Sequence, residues 1–274
     1  MEGASSVSSQ GYVFERHVAG PEHERDRLAL LEAVHDQCTR DLLDRLGIGP
    51  RLRCAEIGAG AGSIARYMAH AVGAGGRVVA VDIDPRFLNM PDLPQIEIRR
   101  SDVMSDAFEA GAYDLIHARF VLMHLADPSA ALDNLWTALK PGGGILLEEP
   151  DFRTAFSAAP DEDTRRAVDA VNEAVVAMYR RMGRDPGFGL QLPRLLASRE
   201  GMVDLHVNVT SPLVPGGSPM ALMMRSSVSH LRELLLETRV AEEVEIERYR
   251  DAACDPSVWA SYYATISATA RKAA

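Results

Sequence analysis

Between positions 55 and 63 the chain reads Ala55-Glu56-Ile57-Gly58-Ala59-Gly60-Ala61-Gly62-Ser63. It begins in a short apolar run, residues 53–57, that predicts a β-strand, and it leads into residues 63–71, which have helical character. Glycines between a strand and a helix allow a tight turn, and they let the backbone approach a ligand where a side chain would collide. The free amide groups at the start of the helix can meet a polar or anionic ligand. The stretch therefore predicts a ligand-binding turn between a strand and a helix.

Asp82 follows the next predicted strand, residues 77–81, and lies twenty residues after Gly62. A carboxylate at the end of that strand can accept hydrogen bonds from both hydroxyl groups of a ribose. A glycine turn alone is weak support for a nucleotide site, but the turn, the acid and the strand–helix order together predict one. We therefore expect a ligand that contains a ribose.

Two ligands suit this arrangement, a dinucleotide and S-adenosylmethionine. The dinucleotide fingerprint is G-x-G-x-x-G, whereas here the third glycine comes one residue early, at Gly62, and Ser63 takes its place. Glu56 ends the first strand, and its carboxylate would repel a pyrophosphate but attract an ammonium group. S-adenosylmethionine carries an adenosine and an ammonium group and has no phosphate. The charges favour S-adenosylmethionine and leave a nicotinamide-dependent oxidoreductase as the alternative.

Predicted strands and helices alternate on both sides of this turn. We predict helices over residues 22–47 and 130–139 and strands over 96–100, 113–118 and 145–148. This alternation implies an α/β fold with a mostly parallel sheet that is covered on both faces. Right-handed crossovers would make that sheet doubly wound.

The rest of the chain departs from that rhythm. Residues 164–182 predict an amphipathic helix, 202–209 a strand, 220–236 and 240–252 helices, and 258–268 a closing strand. We therefore expect a Rossmann-like, doubly wound, seven-stranded sheet, mostly parallel with a terminal antiparallel hairpin, plus an inserted helical lid. The expected divisions are an N-terminal helical arm at 1–50, the ligand-binding core at 51–155, a helical insertion at 156–200, and terminal strands with inserted helices at 201–274.

Composition and charge argue against several classes of protein. The 274 residues carry a formal net charge of −10, which argues against an extended nucleic-acid surface. The three cysteines, Cys38, Cys54 and Cys254, match no metal-ligand spacing, so we expect no metal. No apolar run approaches the ~18 residues of a membrane span, and the first residues lack the pattern of a secretory signal. We expect a cytoplasmic protein with a small-molecule substrate, and the oligomeric state stays open.

The chain resembles the class I S-adenosylmethionine-dependent methyltransferases over about residues 52–152. The matching segments, in the order of that family, are Glu56-Ile57-Gly58-Ala59-Gly60-Ala61-Gly62, Val79-Ala80-Val81-Asp82-Ile83-Asp84, Ser101-Asp102-Val103, Tyr113-Asp114-Leu115-Ile116-His117-Ala118-Arg119 and Leu139-Lys140-Pro141-Gly142-Gly143-Gly144. Residues 122–128 further resemble the branch related to quinone and natural-product methyltransferases, and so do Tyr12 and residues 22–28.

The resemblance implies a set of cofactor contacts. The glycines would pass under the methionine part, Asp82 would hold the ribose and Ile83 would pack on the adenine. Asp102 and the backbone amide of Val103 would contact the adenine edge, and the end of the fourth strand would bracket the methionine. The expected cofactor-binding residues are therefore Glu56, Gly58, Gly60, Gly62, Ser63, Asp82, Ile83, Asp102, Val103, Ala118 and Arg119.

Candidates for the chemistry lie at strand ends and in the N-terminal arm. Tyr12 could close the pocket or orient the acceptor, His124 could contact the methionine carboxylate or the acceptor, and Glu149 could act as a general base. Each also has an ordinary explanation: a loosely packed arm, a hydrogen-bonded structural histidine and a solvated or capping carboxylate. The expected acceptor-binding residues are Phe156, Phe188, Met223, His230 and Trp259.

These residues together predict methyl transfer by in-line displacement. In that reaction the protein mainly aligns the acceptor with the methyl group and excludes water. The predicted acceptor is a small aromatic or heteroaromatic specialised metabolite, methylated at an indole carbon or a phenolic oxygen. A protein that binds S-adenosylmethionine without catalysis is a further alternative.

Overall fold

The computed structural model describes residues 21–274 and shows two β-sheets packed with helices. Over that range the strands are β1 (Arg53–Ile57), β2 (Arg77–Asp82), β3 (Ile96–Arg100), β4 (Tyr113–Arg119), β5 (Leu139–Asp151), β6 (Phe156–Ser157), β7 (Met202–Thr210), β8 (Val214–Pro215), β9 (Trp259–Ser261) and β10 (Ala264–Lys272). The α-helices are α1 (Pro21–Leu46), α2 (Ser63–Val72), α3 (Pro128–Ala138), α4 (Glu162–Arg181), α5 (Leu192–Ala197), α6 (Pro219–His230), α7 (Arg232–Glu237) and α8 (Glu243–Ala252).

The larger sheet has seven strands within the described residues, in the order β3-β2-β1-β4-β5-β10-β7. Strands β1 to β5 run parallel, and β10 runs antiparallel to both β5 and β7. The strand order reverses between β1 and β4, and sheets of this kind open a crevice at such a point, outside the carboxyl ends of the strands. The prediction of a seven-stranded, mostly parallel α/β sheet is confirmed.

The register of the central strands brings the sequence motifs together. Ile57 at the end of β1 pairs with Val81 of β2 and, on its other side, with the last but one residue of β4. The residues just beyond these pairs, Gly58, Asp82 and Arg119, therefore meet at one edge of the sheet. Segments that are far apart in sequence form a single site because parallel strands end at the same edge.

Both faces of the sheet are covered, as a doubly wound sheet requires. One face packs against α1 and α2, where Leu43 and Met68 are fully buried. The other buries Leu132 of α3 and Val171 of α4 in a larger cluster that also takes in α6 and α8. Helices α4 and α6 pack in this larger cluster, and both reach the crevice at the carboxyl edge of the sheet.

The predicted closing strand over residues 258–268 is wrong as a single element. The chain forms β9 and then β10, with Tyr262 and Tyr263 between them. Strand β9 pairs with β6 and β8 in a separate three-stranded sheet, whereas β10 enters the main sheet between β5 and β7. Alternating apolar residues indicate which side chains are buried but not which sheet receives them, so the sequence pattern does not show this change of sheet.

The predicted helix over residues 220–236 is two helices. Helix α6 ends at His230 and α7 begins at Arg232, with Leu231 between them at φ −91° and ψ 6°. Leu231 is buried and faces the cavity described below, so tertiary packing accompanies the break. Two starts also differ: β5 begins at Leu139 and takes in the glycine turn, and α8 begins at Glu243 rather than at residue 240.

Within residues 21–274, no helix is long and apolar enough to cross a membrane. In the same range, no group of three or more histidine, cysteine, aspartate or glutamate side chains is placed to hold a metal ion.

Candidate active site

A cavity of about 850 Å³ lies at the carboxyl edge of the parallel strands. Its floor is formed by residues at the ends of β1, β2, β4 and β5, and its walls by α1, α4 and α6. Of the predicted cofactor-binding residues, those that line it are Glu56, Gly58, Gly60, Ser63, Asp82, Ile83, Asp102, Val103 and Arg119. Gly62 and Ala118 lie behind the wall, next to residues that line it.

The glycine turn is held in a shape that side chains would disrupt. Gly58 has φ +67°, and a Cβ atom there would lie 2.4 Å from Cγ2 of Val121. Gly62 has φ +90°, and its Cβ would lie 2.0 Å from Cε of Met90. Val121 is a short branched side chain, so the chain needs glycine at position 58 for conformation and for space. At position 62 the clashing atom is the flexible end of Met90, so the need for glycine there is conformational.

Asp82 fixes the turn from the neighbouring strand. Its Oδ2 accepts a hydrogen bond from the backbone N–H of Gly60 at 2.9 Å, and its Oδ1 accepts one from the N–H of Asp84 at 2.9 Å. Burial raises the pKa of Asp82. Each carboxylate oxygen has more than one acceptor position, so both can still accept from a ligand in the cavity. Ile83 lines the cavity beside it and is half exposed there.

Acidic side chains surround the glycine end of the cavity. Glu56 and Glu32 both line it. Burial, and then the charge of Asp36, raise the pKa of Glu32, and burial raises the pKa of Glu56 against the opposing charge of His117. A ligand ammonium group would relieve this crowding of acids. The sequence pattern did not indicate Glu32, which follows Leu31 on α1.

A buried polar network lies beneath the same end. His117 donates from Nδ1 to Oε2 of Glu56 at 2.7 Å and from Nε2 to Oε2 of Glu148 at 3.1 Å. Burial alone would lower the pKa of His117, but the two carboxylates raise it to about 9. Burial likewise opposes ionisation of Glu148, yet the hydrogen bond and charge of His117 lower its pKa to about 2. His117 is therefore a buried histidine with both ring nitrogens hydrogen-bonded to carboxylates.

Arg119 connects this network to α1. Its guanidinium donates to Oγ1 of Thr39 at 2.8 Å and to Oδ1 of Asp36 at 2.9 Å. Thr39 in turn donates to Oε2 of Glu148 at 2.6 Å, and Ser63 donates to Oδ1 of Asp36 at 3.1 Å. The helix that forms the cavity wall is therefore tied by charged hydrogen bonds to the ends of β4 and β5.

The side chains at this end of the cavity fit S-adenosylmethionine better than a dinucleotide. Asp82 offers acceptors for a ribose, and Glu32 and Glu56 offer negative charge for an ammonium group. The same carboxylates stand where a pyrophosphate would have to meet the start of α2, and they would repel it. Asp102 and Val103 line the cavity beyond Asp82.

The other end of the cavity is aromatic. The Phe152 ring stacks on Tyr179 with centroids 5.1 Å apart and meets Tyr263 edge-on at 5.2 Å. The Phe120 ring meets Tyr263 at 5.9 Å, and Phe120 has φ +57°. A bulky residue in this left-handed conformation marks backbone strain, which tends to occur at functional sites. The apolar side chains that complete this end are Val175, Met182, Met223, Met224, Val228 and Leu231.

The candidate catalytic residues have different surroundings. His124 lines the cavity, where burial and the charges of Arg27 and Arg184 lower its pKa to about 3. Glu149 lies beneath the cavity wall and accepts hydrogen bonds from the backbone N–H groups of Val121 and Leu122 at 3.1 and 2.7 Å. Burial raises the pKa of Glu149 to about 8. Tyr12 lies outside the described residues.

The structure does not bring four of the five predicted acceptor residues to the cavity; Met223 is the one that lines it. Phe156 and Trp259 are exposed on the three-stranded sheet, because β6 and β9 pair there instead of reaching the crevice. Phe188 is buried in the core between β5 and α5. His230 ends α6 and its ring faces His23 at 6.1 Å.

Aromatic residues that sequence reasoning missed take their place. Phe120, Phe152 and Tyr263 each follow or precede a strand at the carboxyl edge. Tyr179 lies on α4, next to the apolar stripe that predicted that helix. Phe120 and Phe152 could have been predicted, because each directly follows a strand that ends at this edge. Tyr263 could not, because the sequence pattern does not show that β10 begins at the cavity.

Several known proteins similar to this chain are named methyltransferases. A family model described as a methyltransferase domain matches residues 24–181. Methyltransferase str2 of Strobilurus tenacellus is 27% identical over 73% of this chain and 74% of its own length. An uncharacterised 37.1 kDa protein in transposon TN4556 of Streptomyces fradiae is 28% identical over 69% of this chain, and the match spans 58% of that protein.

A solved structure gives the same fold. Phosphoethanolamine N-methyltransferase 2 of Haemonchus contortus, solved with S-adenosylhomocysteine, superposes with a TM-score of 0.54 at 18% identity. The superposition covers 94% of this chain and 55% of that one. The family match covers more than half of the chain and includes the glycine turn, Asp82 and the residues of α4 at the cavity. The chain therefore belongs to the methyltransferase domain family, as a class I S-adenosylmethionine-dependent methyltransferase.

Proposed function

We propose that this chain methylates a small aromatic or heteroaromatic molecule. The observation that carries the proposal is one continuous cavity that joins the acidic, ribose-type end to the aromatic end. Asp82 ends β2 and Phe152 follows β5, three strands away, which separates them by roughly 14 Å at the usual strand spacing. A volume of about 850 Å³ is near the upper limit for one drug-sized ligand, which supports room for a donor and an acceptor together.

We assign the acidic end to the donor. Asp82 would hold the ribose, Ile83 would pack on the adenine, and Glu32 and Glu56 would attract the ammonium group. Asp102 and the amide of Val103 would contact the adenine edge, as the family resemblance implies. The donor supplies an already activated methyl group, so these residues only have to hold it in line with the acceptor and keep water out.

We assign the aromatic end to the acceptor and residues 156–200 to a lid over it. Helix α4 supplies Val175 and Tyr179 to the wall, so the inserted segment covers the site where a planar ring would stack. His124 stays neutral at neutral pH and is suited to a hydrogen bond with the acceptor. Glu149 holds the backbone at Val121 and Leu122, which supports a positioning role and not that of a base in contact with the acceptor.

Two features of the sequence support a setting for the reaction. Resemblance of residues 122–128 to quinone and natural-product methyltransferases supports an acceptor from specialised metabolism. The cysteines in the described range are unpaired, which supports a reducing compartment such as the cytoplasm.

A turnover assay tests the proposal. The purified chain is incubated with S-adenosylmethionine and each of a panel of phenols, indoles and hydroxyquinones, with aliphatic amines and carboxylic acids as matched non-aromatic acceptors. Formation of S-adenosylhomocysteine and the added methyl group are followed by mass spectrometry. We expect turnover with members of the aromatic set. Turnover with only the aliphatic set would contradict the proposal.

A further inference from the structure

We propose that Tyr263 and His35 form a proton relay at the acceptor end of the cavity, and that the methylated atom is therefore a hydroxyl oxygen. The inference rests on the proposed function, because it needs an acceptor in the aromatic half of the site. It adds two residues that the sequence did not indicate, and it chooses between the oxygen and carbon acceptors that the sequence left open.

The two side chains form a chain that leads away from the cavity. Tyr263 lines the cavity, and its hydroxyl oxygen lies 2.8 Å from Nε2 of His35 on α1. Among the described residues that line the cavity His35 is absent, so the phenol stands between the acceptor and the imidazole. A proton that enters at Tyr263 has His35 as its next acceptor.

The packing fixes the orientation of this pair. The Tyr263 ring stacks near the imidazole with centroids 5.9 Å apart and an interplanar angle of 22°. Phe120 packs edge-on against both the His35 ring, at 4.9 Å, and the Tyr263 ring. Phe152 holds the phenol from another side at 5.2 Å. A pair held in place by the Phe120 and Phe152 rings meets the geometric requirement for general acid–base work before any ligand binds.

The protonation states allow the relay to start. Burial raises the pKa of Tyr263, so the phenol is neutral and holds its proton. Burial, and then the charge of Arg119, lower the pKa of His35 to about 3, so the imidazole is neutral and has one nitrogen free to accept. The charged groups that face the pair are Arg119, Arg27 and Glu148, with Tyr179 as a further phenol. Of these, Glu148 favours a charged imidazole.

The step balances in atoms and charge. The acceptor hydroxyl gives its proton to the Tyr263 oxygen while the phenol proton passes to Nε2 of His35. A lone pair of the acceptor oxygen forms the new O–CH₃ bond, and the electrons of the S–CH₃ bond stay on sulfur. One positive charge is lost at sulfur and one appears on the imidazole, so the net charge of the buried site does not change. After the products leave, His35 returns its proton through Tyr263 to water.

Two other candidate bases are less suited. Glu149 does not line the cavity and is held by backbone N–H groups. His124 does line it, but Arg27 and Arg184 both oppose its charging, whereas Glu148 favours the charging of His35.

The test compares Tyr263→Phe with wild type on acceptors of different acidity. The variant keeps the ring that packs on Phe120 and Phe152 but loses the oxygen. Tyr262→Phe is the matched control, because Tyr262 is buried next to it but does not line the cavity. We expect Tyr263→Phe to lower kcat for an unsubstituted phenol by about 10²-fold or more, with KM and S-adenosylhomocysteine binding unchanged. His35→Gln should show a similar kcat loss with the same selectivity among acceptors.

Acceptors of different acidity distinguish a role in proton transfer from a purely structural role of these two residues. A nitrophenol, which is already ionised at the assay pH, should be methylated at nearly the same rate by both variants and wild type. Equal losses for the ionised and unionised phenols, no loss in Tyr263→Phe, or wild-type methylation of an indole carbon only, would each overturn the relay while leaving aromatic methylation in place. A wild-type protein that binds S-adenosylhomocysteine but methylates no aromatic acceptor would overturn the proposed function itself.

Discussion

At the scale of single residues, the carboxylate of Asp82 joins the cavity to the glycine turn. It accepts backbone hydrogen bonds on both sides, from Gly60 and Asp84, and still faces the cavity. The sequence predicted the position of this residue at the cavity, because that position depends only on its place at a strand end, and its contact with a ribose stays a prediction. The acceptor-binding residues were predicted poorly, since Phe156 and Trp259 are apolar residues whose destination depends on tertiary pairing.

We expect Asp82→Ala to weaken S-adenosylhomocysteine binding by roughly 100-fold, because charge-assisted hydrogen bonds contribute about 1.5–3 kcal/mol each. The exposed Asp92 provides the matched control, since Asp92→Ala removes the same charge away from the cavity. Isothermal titration calorimetry measures both. Wild-type affinity in Asp82→Ala would refute the placement of the ribose.

The buried side chain of His117 makes the free energy of unfolding depend on pH. Because the folded pKa of His117 is raised to about 9 from an ordinary value of 6.5, its charge stabilises the folded state fully below about pH 6.5. That contribution is lost as the pH rises through about 9. We expect the free energy of unfolding to fall by up to about 3 kcal/mol across this window. Urea unfolding at both pH values checks it, and His117→Gln should lack this part of the change.

At the scale of elements, the strand–turn–helix unit is the best predicted part of the chain. Strands β1 and β3 have the predicted bounds, and α2 differs by one residue. For the segments after β5, the sequence predicted which are helices and which are strands, but not which other elements they pack against or pair with. Local periodicity sets the type of an element, whereas the break at Leu231 and the split between β9 and β10 depend on what each segment packs against.

Two glycines at α2 separate backbone strain from steric clash. Gly58 before the helix has φ +67° and Gly73 after it has φ +65°, but only Gly58 has a neighbour, Cγ2 of Val121, within reach of a Cβ atom. Both alanine variants carry the left-handed strain, and Gly58→Ala adds overpacking. We expect Gly58→Ala to lose about 1–3 kcal/mol more stability in urea unfolding. Equal losses would mean that the turn relaxes around the new methyl group.

At the scale of the whole molecule, one sheet edge brings together a nucleotide-type end and an aromatic end in a single cavity. The fold class followed from the sequence, because alternating elements and short connections leave few topologies. The predicted residues at the glycine end line the cavity, since they lie at strand ends. The aromatic end was not predicted, because α1, α4, α6 and the start of β10 meet there only after folding.

The most direct test of the account is calorimetric titration of the purified chain with S-adenosylhomocysteine and, separately, with oxidised nicotinamide dinucleotide. The acids Glu32 and Glu56 beside the glycine turn predict binding of the first at about micromolar affinity and no binding of the second. Binding of the dinucleotide alone would contradict the assignment of the cavity to a methyl donor.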